Sequence, residues 1–246
     1  MSMGNDHIRW EGLVQNQVRL WKEREEQEPK TAENEKSAWD KAHITISRAY
    51  GARGYRIGEL IAKTLHWKVY SRKLVEHISD TANLREQIIK EFDEKKHNVS
   101  ISQIIFDPQA FSSDKYYRHL LQVILAIVQH GQAVIVGRGA NFVATSEPGL
   151  HVRVTASFES RVHRYANKQK VPYKEARKKV ESVDRERAHY IKYYFHKDIE
   201  DPHFYDLVIN VEHYSNEQVA EMIIHALEVK LNAKRPAHAG EPSFVA

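Results

Sequence analysis

One short stretch near residue 50 restricts the fold more than any other part of the chain. Apolar and polar residues alternate over residues 43–48, which predicts a short β-strand. Gly51 and Gly54 follow, and glycine adopts tight turns with positive φ at no steric cost. Apolar residues then recur at helical spacing as far as Leu65. A strand, a glycine turn and a helix in this order direct backbone N–H groups at one point, so the stretch predicts a phosphate-binding loop.

The stretch departs from the complete phosphate-loop motif G-x-x-x-x-G-K-[ST], in which lysine binds the β- and γ-phosphates and a hydroxyl binds Mg²⁺. When the template starts at Arg48, its second glycine falls on Arg53, its lysine on Gly54 and its hydroxyl on Tyr55. Three arginines, the third being Arg56, therefore surround the turn. Guanidinium groups bind phosphate oxygens in a fork, and three of them would repel one another without an anion between them. An ordinary tight turn between a strand and a helix is the alternative.

Composition indicates a soluble protein of the cell interior. The 246 residues suffice for one α/β domain with extensions, and 41% hydrophobic with 28% charged residues is ordinary for such a domain. The formal net charge of +4 suits a small polyanionic ligand as well as nucleic acid. The absence of cysteine excludes disulfides and thiol chemistry. Apolar runs fall short of the roughly 20 residues of a membrane span, and the N-terminus does not resemble a signal peptide, so we expect a cytoplasmic protein.

Strand and helix patterns alternate after the first loop, which predicts an α/β fold with a parallel sheet. Further strands are expected at residues 66–70, 133–136, 152–155 and 206–211. Helices are expected at residues 71–78, 83–96 and 117–131. Ser215 and Gln218 form a capping box that opens a last helix. Ligands of such sheets bind beyond the carboxyl ends of the strands, where Gly51–Arg56 and Gly137–Gly139 are both expected.

The pattern divides the chain into an N-terminal extension at residues 1–42, a main domain at residues 43–231 and a tail at residues 232–246. The extension carries an apolar helical stripe of Trp10, Leu13, Val14, Val18 and Trp21. Because two tryptophans on an exposed helix need cover, we expect the stripe to pack on the main domain or on a second subunit. A helix on a membrane surface is the alternative, which nearby acidic residues disfavour. We expect the tail, which contains prolines, to be disordered.

A basic helical hairpin is predicted at residues 157–197. Ser157 can cap its first helix, and Pro172 suits the first turn of its second. From Arg161 to Lys197 there are twelve Lys and Arg residues against four Asp and Glu. Such a hairpin between two strands can act as a lid that closes over phosphate groups and excludes water. A solvated surface hairpin and an RNA-binding segment are the alternatives. We expect its aromatic residues to form a small core of its own: Tyr190, Tyr193, Tyr194 and Phe195.

Five motifs follow one another along the chain. They are Ile44-Thr-Ile-Ser-Arg-x-Tyr-Gly-x-x-Gly54, Tyr70-Ser-Arg72, Val134-Ile-Val-Gly-Arg-Gly139, Asp184-Arg-Glu-Arg187 with Tyr193-Tyr194, and Tyr205-Asp-Leu-Val-Ile-Asn210. Together they resemble the cytidylate kinase-like family, bacterial relatives of nucleoside monophosphate kinases, over about residues 43–230. The resemblance implies a P-loop NTPase-type parallel sheet flanked by helices. It also implies a region that binds the nucleoside monophosphate at about residues 70–115 and a lid at about residues 160–197.

The resemblance implies an enzyme that transfers the γ-phosphoryl group of ATP, or of another nucleoside triphosphate, to CMP, dCMP or another small acceptor, with Mg²⁺. A catalytically silent nucleotide-binding sensor or regulatory module is the alternative, because the lysine of the motif is missing. Small nucleotides would be the partners of either protein. Nucleic acid and membranes are not expected, and the N-terminal helix could join two copies.

Carried over to this sequence, the resemblance assigns residues to each role. The donor phosphates would lie against Arg48, Tyr50, Gly51, Ala52, Gly54 and Tyr55. The acceptor would lie against Tyr70, Arg72, Arg138 and Asn210. Positive charge for the reaction would come from Arg53 or Arg56, in place of the missing lysine, and from Arg161, Arg164, Arg185 and Arg187 in the lid.

The sequence leaves the metal ligands of this site unassigned. Neither Ser nor Thr stands at Tyr55, so Mg²⁺ would depend on phosphates, water and a carboxylate that no motif identifies. The 15 histidines are scattered singly, without the spacing of a metal site.

Overall fold

A five-stranded parallel sheet forms the centre of the protein in a computed structural model that describes Arg19, residues 38–81, Asn83, Arg85, residues 115–144 and residues 146–236. Its strands are β1 (His43–Arg48), β2 (Lys68–Ser71), β3 (Ala133–Val136), β4 (Gly149–Thr155) and β5 (Leu207–Asn210). Their spatial order is β2–β3–β1–β4–β5, and every neighbouring pair is parallel. The predicted α/β fold with a parallel sheet is confirmed, and it is consistent with a P-loop kinase-like domain.

Seven α-helices flank this sheet in the described ranges. They are α1 (Ala38–Lys41), α2 (Gly54–Leu65), α3 (Arg72–Asp80), α4 (Lys115–His130), α5 (Phe158–Gln169), α6 (Tyr173–Phe195) and α7 (Asn216–Leu231). The predicted caps are present: Ser157 Oγ accepts from the N–H of Ser160, and Ser215 and Gln218 form both halves of a capping box. None of the helices in the described ranges is long and apolar enough to cross a bilayer.

The central strand β1 is buried on both faces. Ile44 and Ile46 are at most 1% exposed, and the one hydroxyl between them, Thr45 Oγ1, lies 2.7 Å from His151 Nδ1 on β4. The parallel register places Ile46 level with Val136 of β3 and with Val152 of β4. The carboxyl ends of β1, β3 and β4 therefore meet at one edge of the sheet.

Two apolar cores cover the two faces of the sheet. Helices α2 and α7 contribute Ile57 and Ile223 to the first core, whereas α3 and α4 contribute Ile78 and Ile124 to the second. Because the inner strands of a parallel sheet with helices on both faces are shielded from water, a strand such as β3, Ala133–Val136, is a continuous apolar and fully buried run.

The aromatic end of α6 differs from the prediction. Tyr194 stacks on Tyr117 of α4 with ring centroids 4.9 Å apart, and Phe195 lies 5.2 Å from Phe142. These residues therefore pack on the second core of the domain, and the expectation that they form a separate core of the hairpin is wrong. The hairpin has a small core of its own, made of Val162, Ala176 and Val180.

The edges of some elements also differ from the sequence patterns. Strand β4 begins at Gly149, three residues before the predicted start, because His43 pairs with Gly149 across the sheet. The apolar stripe at residues 10–21, the helix expected at residues 83–96 and the last part of the tail lie outside the described residues, apart from a few single positions. The domain limits, a pairing of two copies and a cytoplasmic location stay predictions.

Candidate functional site

The connection from β1 to α2, residues 49–53, is a tight turn that we call the glycine loop. Gly51 has a φ of +85° and Arg53 a φ of +63°, so the backbone enters the left-handed region twice. The N–H of Ala52 donates to the carbonyl of Ala49 at 3.2 Å. A Cβ at Gly51 would lie 3.1 Å from the Cβ of Arg161, so glycine is also needed for the close approach of α5.

Side chains of the basic hairpin, which α5 and α6 form, make hydrogen bonds to main-chain groups of the glycine loop. The N–H of Tyr50 donates to Asp184 Oδ1 at 2.7 Å. Arg161, which is buried, donates to the carbonyl of Tyr50 at 3.0 Å and pairs with Asp184, and Arg164 donates to the carbonyl of Gly51 at 2.8 Å. Two of the arginines predicted to supply charge from the lid are therefore bonded to the loop itself.

The first residues of α2, Gly54 and Tyr55, line the space over the glycine loop. The first turn of α2, Gly54-Tyr-Arg-Ile, contains no acidic residue, so the partial positive charge of the helix end is not neutralised from within the turn. Arg53 occupies the N-cap position, but its guanidinium reaches across to the carbonyls of Val211 and Tyr214. The helix start therefore keeps the character of an anion-binding site.

A cavity of about 690 Å³ opens over the glycine loop and the start of α2, and we call it the loop cavity. Its walls include Tyr50, Gly51, Gly54, Tyr55, Arg164 and Lys168. Arg56 stands at its rim with a side chain that is 64% exposed and lies 3.4 Å from Glu59. Most residues predicted to bind the donor phosphates thus meet here, although Ala52 is fully buried in the first core.

A second cavity, of about 230 Å³, lies between the end of β3 and the hairpin, and we call it the arginine cavity. Four arginines line it: Arg48, Arg72, Arg138 and Arg187. Arg138 pairs with Glu76 of α3 and lies 4.8 Å from the ring centroid of Tyr190. Arg187 donates to the main-chain carbonyl of Arg48 at 3.0 Å. The predicted acceptor residues Arg72 and Arg138 are thus brought together with two further arginines.

The electrostatics of the arginine cavity are dominated by positive charge. The pKa of Arg48 is lowered to about 9, first by burial and then by the guanidiniums of Arg187, Arg72, Arg138 and Arg153. Burial also lowers the pKa of Arg187, against the raising effect of Asp184. Arginine normally stays charged far above neutral pH, so a lowered pKa shows that the surroundings disfavour positive charge. An anion in this cavity would relieve the repulsion.

The family model for the cytidylate kinase-like family matches residues 43–213. The chain belongs to this family. A search of curated proteins finds no match. The crystal structure of an uncharacterized protein from Eubacterium ventriosum is similar in fold, with a TM-score of 0.53, 17% sequence identity and coverage of 76% of this chain and 98% of that chain. At this identity, the likeness supports the fold alone.

Membership in the family supports a nucleotide kinase-like fold and, in general, the use of small nucleotides with Mg²⁺. The described residues do not fit a metal held mainly by the protein, because they contain no group of three or more His, Cys, Asp or Glu side chains that could hold a metal ion. Two carboxylates close to the glycine loop and the start of α2 already have partners: Asp184 bonds Tyr50 and Arg161, and Glu59 pairs with Arg56.

Three residues predicted from the resemblance lie away from both cavities of the described structure. Tyr70 is 2% exposed and belongs to the second core. Asn210 is exposed and accepts a hydrogen bond from the N–H of Glu212 at 3.0 Å. Arg185 has a side chain that is 76% exposed and pairs with Glu181 within α6. Their assignment stays a prediction.

Sequence reasoning missed Arg153, which is 3% exposed in β4. It donates to Ser47 Oγ at 3.0 Å, pairs with Glu200 and stands among the charges that lower the pKa of Arg48. The available signal was an arginine between Val152 and Val154 in a strand that is otherwise apolar. A charged residue in such a strand needs a partner or a ligand.

Proposed function

We propose that this protein is a nucleotide-binding phosphotransferase that moves the γ-phosphoryl group of ATP, or of another nucleoside triphosphate, to CMP, dCMP or another small acceptor. One observation carries this proposal: two cavities, one over an open helix start and one lined by four arginines, share Arg48 and Arg187. Two anions bound in the two cavities would meet at these shared residues.

The loop cavity suits the triphosphate. The start of α2 offers N–H donors and a favourable dipole, and Lys168 and Arg164 add positive charge on the side of α5. Membership in the cytidylate kinase-like family supports nucleotide binding in general.

The arginine cavity suits the phosphate of the acceptor. Guanidinium groups bind phosphate oxygens in pairs, and Arg72, Arg138 and Arg187 line one small space. In the proposed reaction, an oxygen of the acceptor phosphate forms a bond to the γ-phosphorus, the bond from that phosphorus to the bridging oxygen breaks, and the diphosphate leaves. Because positioning and charge neutralisation carry most of the rate of such transfers, a cavity of this charge is well matched to the task.

The basic hairpin would restrict water at the junction. Its α6 is anchored to the domain by Tyr194 and Phe195, and its α5 is bonded to the glycine loop through Arg161 and Arg164. Excluding water from the phosphoryl group keeps it from being transferred to water in place of the acceptor.

A silent nucleotide sensor is the second candidate, and the glycine loop favours it. The N–H of Tyr50 is already bonded to Asp184, lysine is replaced by Gly54, and the serine or threonine of the motif is replaced by Tyr55. Each change removes a contact to the phosphates that a complete motif would supply. Binding without turnover is the expected behaviour of such a loop.

The deciding experiment measures binding and turnover on the same preparation. ATP and GTP binding are followed by calorimetry, and release of ADP or GDP is followed with Mg²⁺ and a panel of acceptors that starts with CMP and dCMP. Diphosphate release that depends on an acceptor supports the phosphotransferase. Binding without release over the whole panel supports the sensor, and failure of both nucleotides to bind at millimolar concentration contradicts both candidates.

A further inference from the structure

Arg48 follows an unusual path between two glycines. It is the last residue of β1, and its side chain passes between Gly54 at the start of α2 and Gly137 after β3. A Cβ on Gly54 would lie 2.8 Å from the Cβ of Arg48, and a Cβ on Gly137 would lie 2.1 Å from its Nη1. Because real Cβ atoms do not approach other atoms this closely, the space that side chains at positions 54 and 137 would need is taken up by Arg48.

Position 54 is where a complete phosphate-loop motif carries its lysine. In this chain, a lysine at position 54 and the arginine at position 48 would compete for the same space. A cation at this position of the helix is thus absent, and the space that it would need is filled by a cation from the end of the preceding strand.

No carboxylate of the described residues balances the charge of Arg48. Among the residues that the structure describes, its guanidinium makes no hydrogen bond and no ion pair with a carboxylate, whereas Arg138, Arg153 and Arg161 each pair with one. Its nearest charged neighbours are four other guanidiniums, which lower its pKa. A partly buried cation in this position destabilises the fold until an anion binds to it.

Arg48 also occupies the junction of the site. It lines the arginine cavity, the loop cavity and a third cavity of about 710 Å³ between α2 and β2. A phosphoryl group bound to Arg48 would therefore be within reach of ligands in both proposed substrate cavities.

We propose that Arg48 supplies, from the end of β1, the phosphate-binding cation that a complete motif carries as lysine at position 54, and that it binds the phosphates of a pyrophosphate-bearing ligand without a divalent metal ion. This inference rests on the proposed nucleotide binding and deepens it. Two observations support binding without a metal: guanidinium groups are in surplus around the junction, and the described residues contain no group of three or more His, Cys, Asp or Glu side chains that could hold a metal ion.

The test compares wild type with Arg48→Gln, and uses Arg177→Gln as the matched control. Arg177 is an exposed arginine of α6 that pairs with Glu159. Inorganic pyrophosphate and ATP are titrated by calorimetry, with EDTA and again with Mg²⁺. We expect wild type to bind pyrophosphate in EDTA, Arg48→Gln to bind it about 10-fold to 100-fold more weakly, and the control to change by less than about twofold.

A second readout separates a ligand-binding role from a structural one. Because the guanidinium of Arg48 has no carboxylate partner among the described residues, Arg48→Gln should melt at a higher temperature than wild type without anion, and should lose most of the rise in melting temperature that pyrophosphate produces. A lower melting temperature or an unfolded variant would show that the fold needs Arg48 and would overturn the inference.

The remaining outcomes distinguish this inference from the proposed function. If Arg48→Gln binds both ligands as wild type does, Arg48 is not the phosphate-binding cation, while nucleotide binding stands. If wild type binds pyrophosphate only with Mg²⁺, the metal-independent part is wrong. If wild type binds neither ATP nor pyrophosphate under any condition, the proposed function fails together with the inference.

Discussion

The glycine loop and the arginine cavity, two regions at the carboxyl edge of the sheet, differ in how their arginines are bonded. Around the glycine loop, Arg53, Arg161 and Arg164 donate to main-chain carbonyls and so fix the shape of the loop and its surroundings. In the arginine cavity, Arg72 and Arg138 pair with Glu76 and Arg187 donates to a carbonyl, whereas the guanidinium of Arg48 has no hydrogen bond or carboxylate partner among the described residues. The number of arginines near a glycine turn is therefore a poor guide to anion binding, because an arginine that is already bonded has less to offer a ligand.

The same difference separates the energetic roles of the two sets. Arginines bonded to carbonyls stabilise the protein, since their removal leaves buried acceptors without donors. An arginine that lacks a partner and is crowded by other guanidiniums, as Arg48 is within the described residues, should reduce stability and be available to an anion, and functional sites often lose stability in this way. The following predictions test this division, from the largest effect to the smallest.

Replacing Arg161 should cause the largest loss of stability. Arg161→Ala removes a buried guanidinium that bonds the carbonyls of Tyr50 and Ala156 and pairs with Asp184. Because Asp184 is left without its cation, we expect the free energy of unfolding to fall by about 3 kcal/mol in urea titrations. Arg177→Ala, which breaks an exposed pair, should cost less than about 1 kcal/mol. Equal losses in the two variants would contradict the structural role of Arg161.

Replacing Gly137 should disturb the arginine cavity with a smaller loss of stability. Gly137→Ala places a Cβ at a φ of +90° and 2.1 Å from Nη1 of Arg48. Backbone strain should cost about 1–2 kcal/mol, and the displaced guanidinium should weaken pyrophosphate binding about tenfold. Combining the change with Arg48→Gln should give no further loss of affinity, because the same contact is already missing. If the two changes weaken pyrophosphate binding additively, Gly137→Ala acts on binding through residues other than Arg48.

The depressed pKa of Arg48 predicts how stability changes in alkali. Its folded-state pKa is lowered to about 9 from the much higher ordinary value of arginine, so near and above pH 9 the unfolded chain binds more protons than the folded one. Stability should therefore rise with pH in this window, by about 1 kcal/mol from about pH 8 to about pH 10, relative to Arg48→Gln, which lacks this titrating group. Anion affinity should fall over the same range, as Arg48 loses its proton. Parallel stability curves for the two proteins would show that Arg48 keeps its ordinary pKa.

The smallest effect is expected at Arg185. Its side chain is 76% exposed and pairs with Glu181 on the outer side of α6. We expect Arg185→Gln to change stability by less than about 0.5 kcal/mol and ATP affinity by less than about twofold, as measured by urea titration and calorimetry. A loss of ATP affinity of tenfold or more would support the role that the family resemblance assigns to Arg185. It would also require the hairpin to move when ATP binds.

Particular residues show how far sequence reasoning reached into the site. The strand, the glycine turn and the helix at residues 43–65 were predicted because apolar periodicity and glycine are local signals. The grouping of Arg72 with Arg138 came from the resemblance and agrees with the arginine cavity. The hydrogen-bond partners of Arg161 and Arg187 could not be predicted from the sequence. Both are basic residues of one helical hairpin, and only the packing of that hairpin on the loop distinguishes them.

By itself, the sequence determined the alternation of strands and helices, the caps at Ser157 and Ser215, and the glycine turn after β1, because each depends on residues that are neighbours along the chain. The tertiary structure alone decided which arginines are bonded and which are left with unbalanced charge. That choice brings Arg48 against Gly137, residues that are far apart in sequence and meet only because β1 and β3 pair side by side.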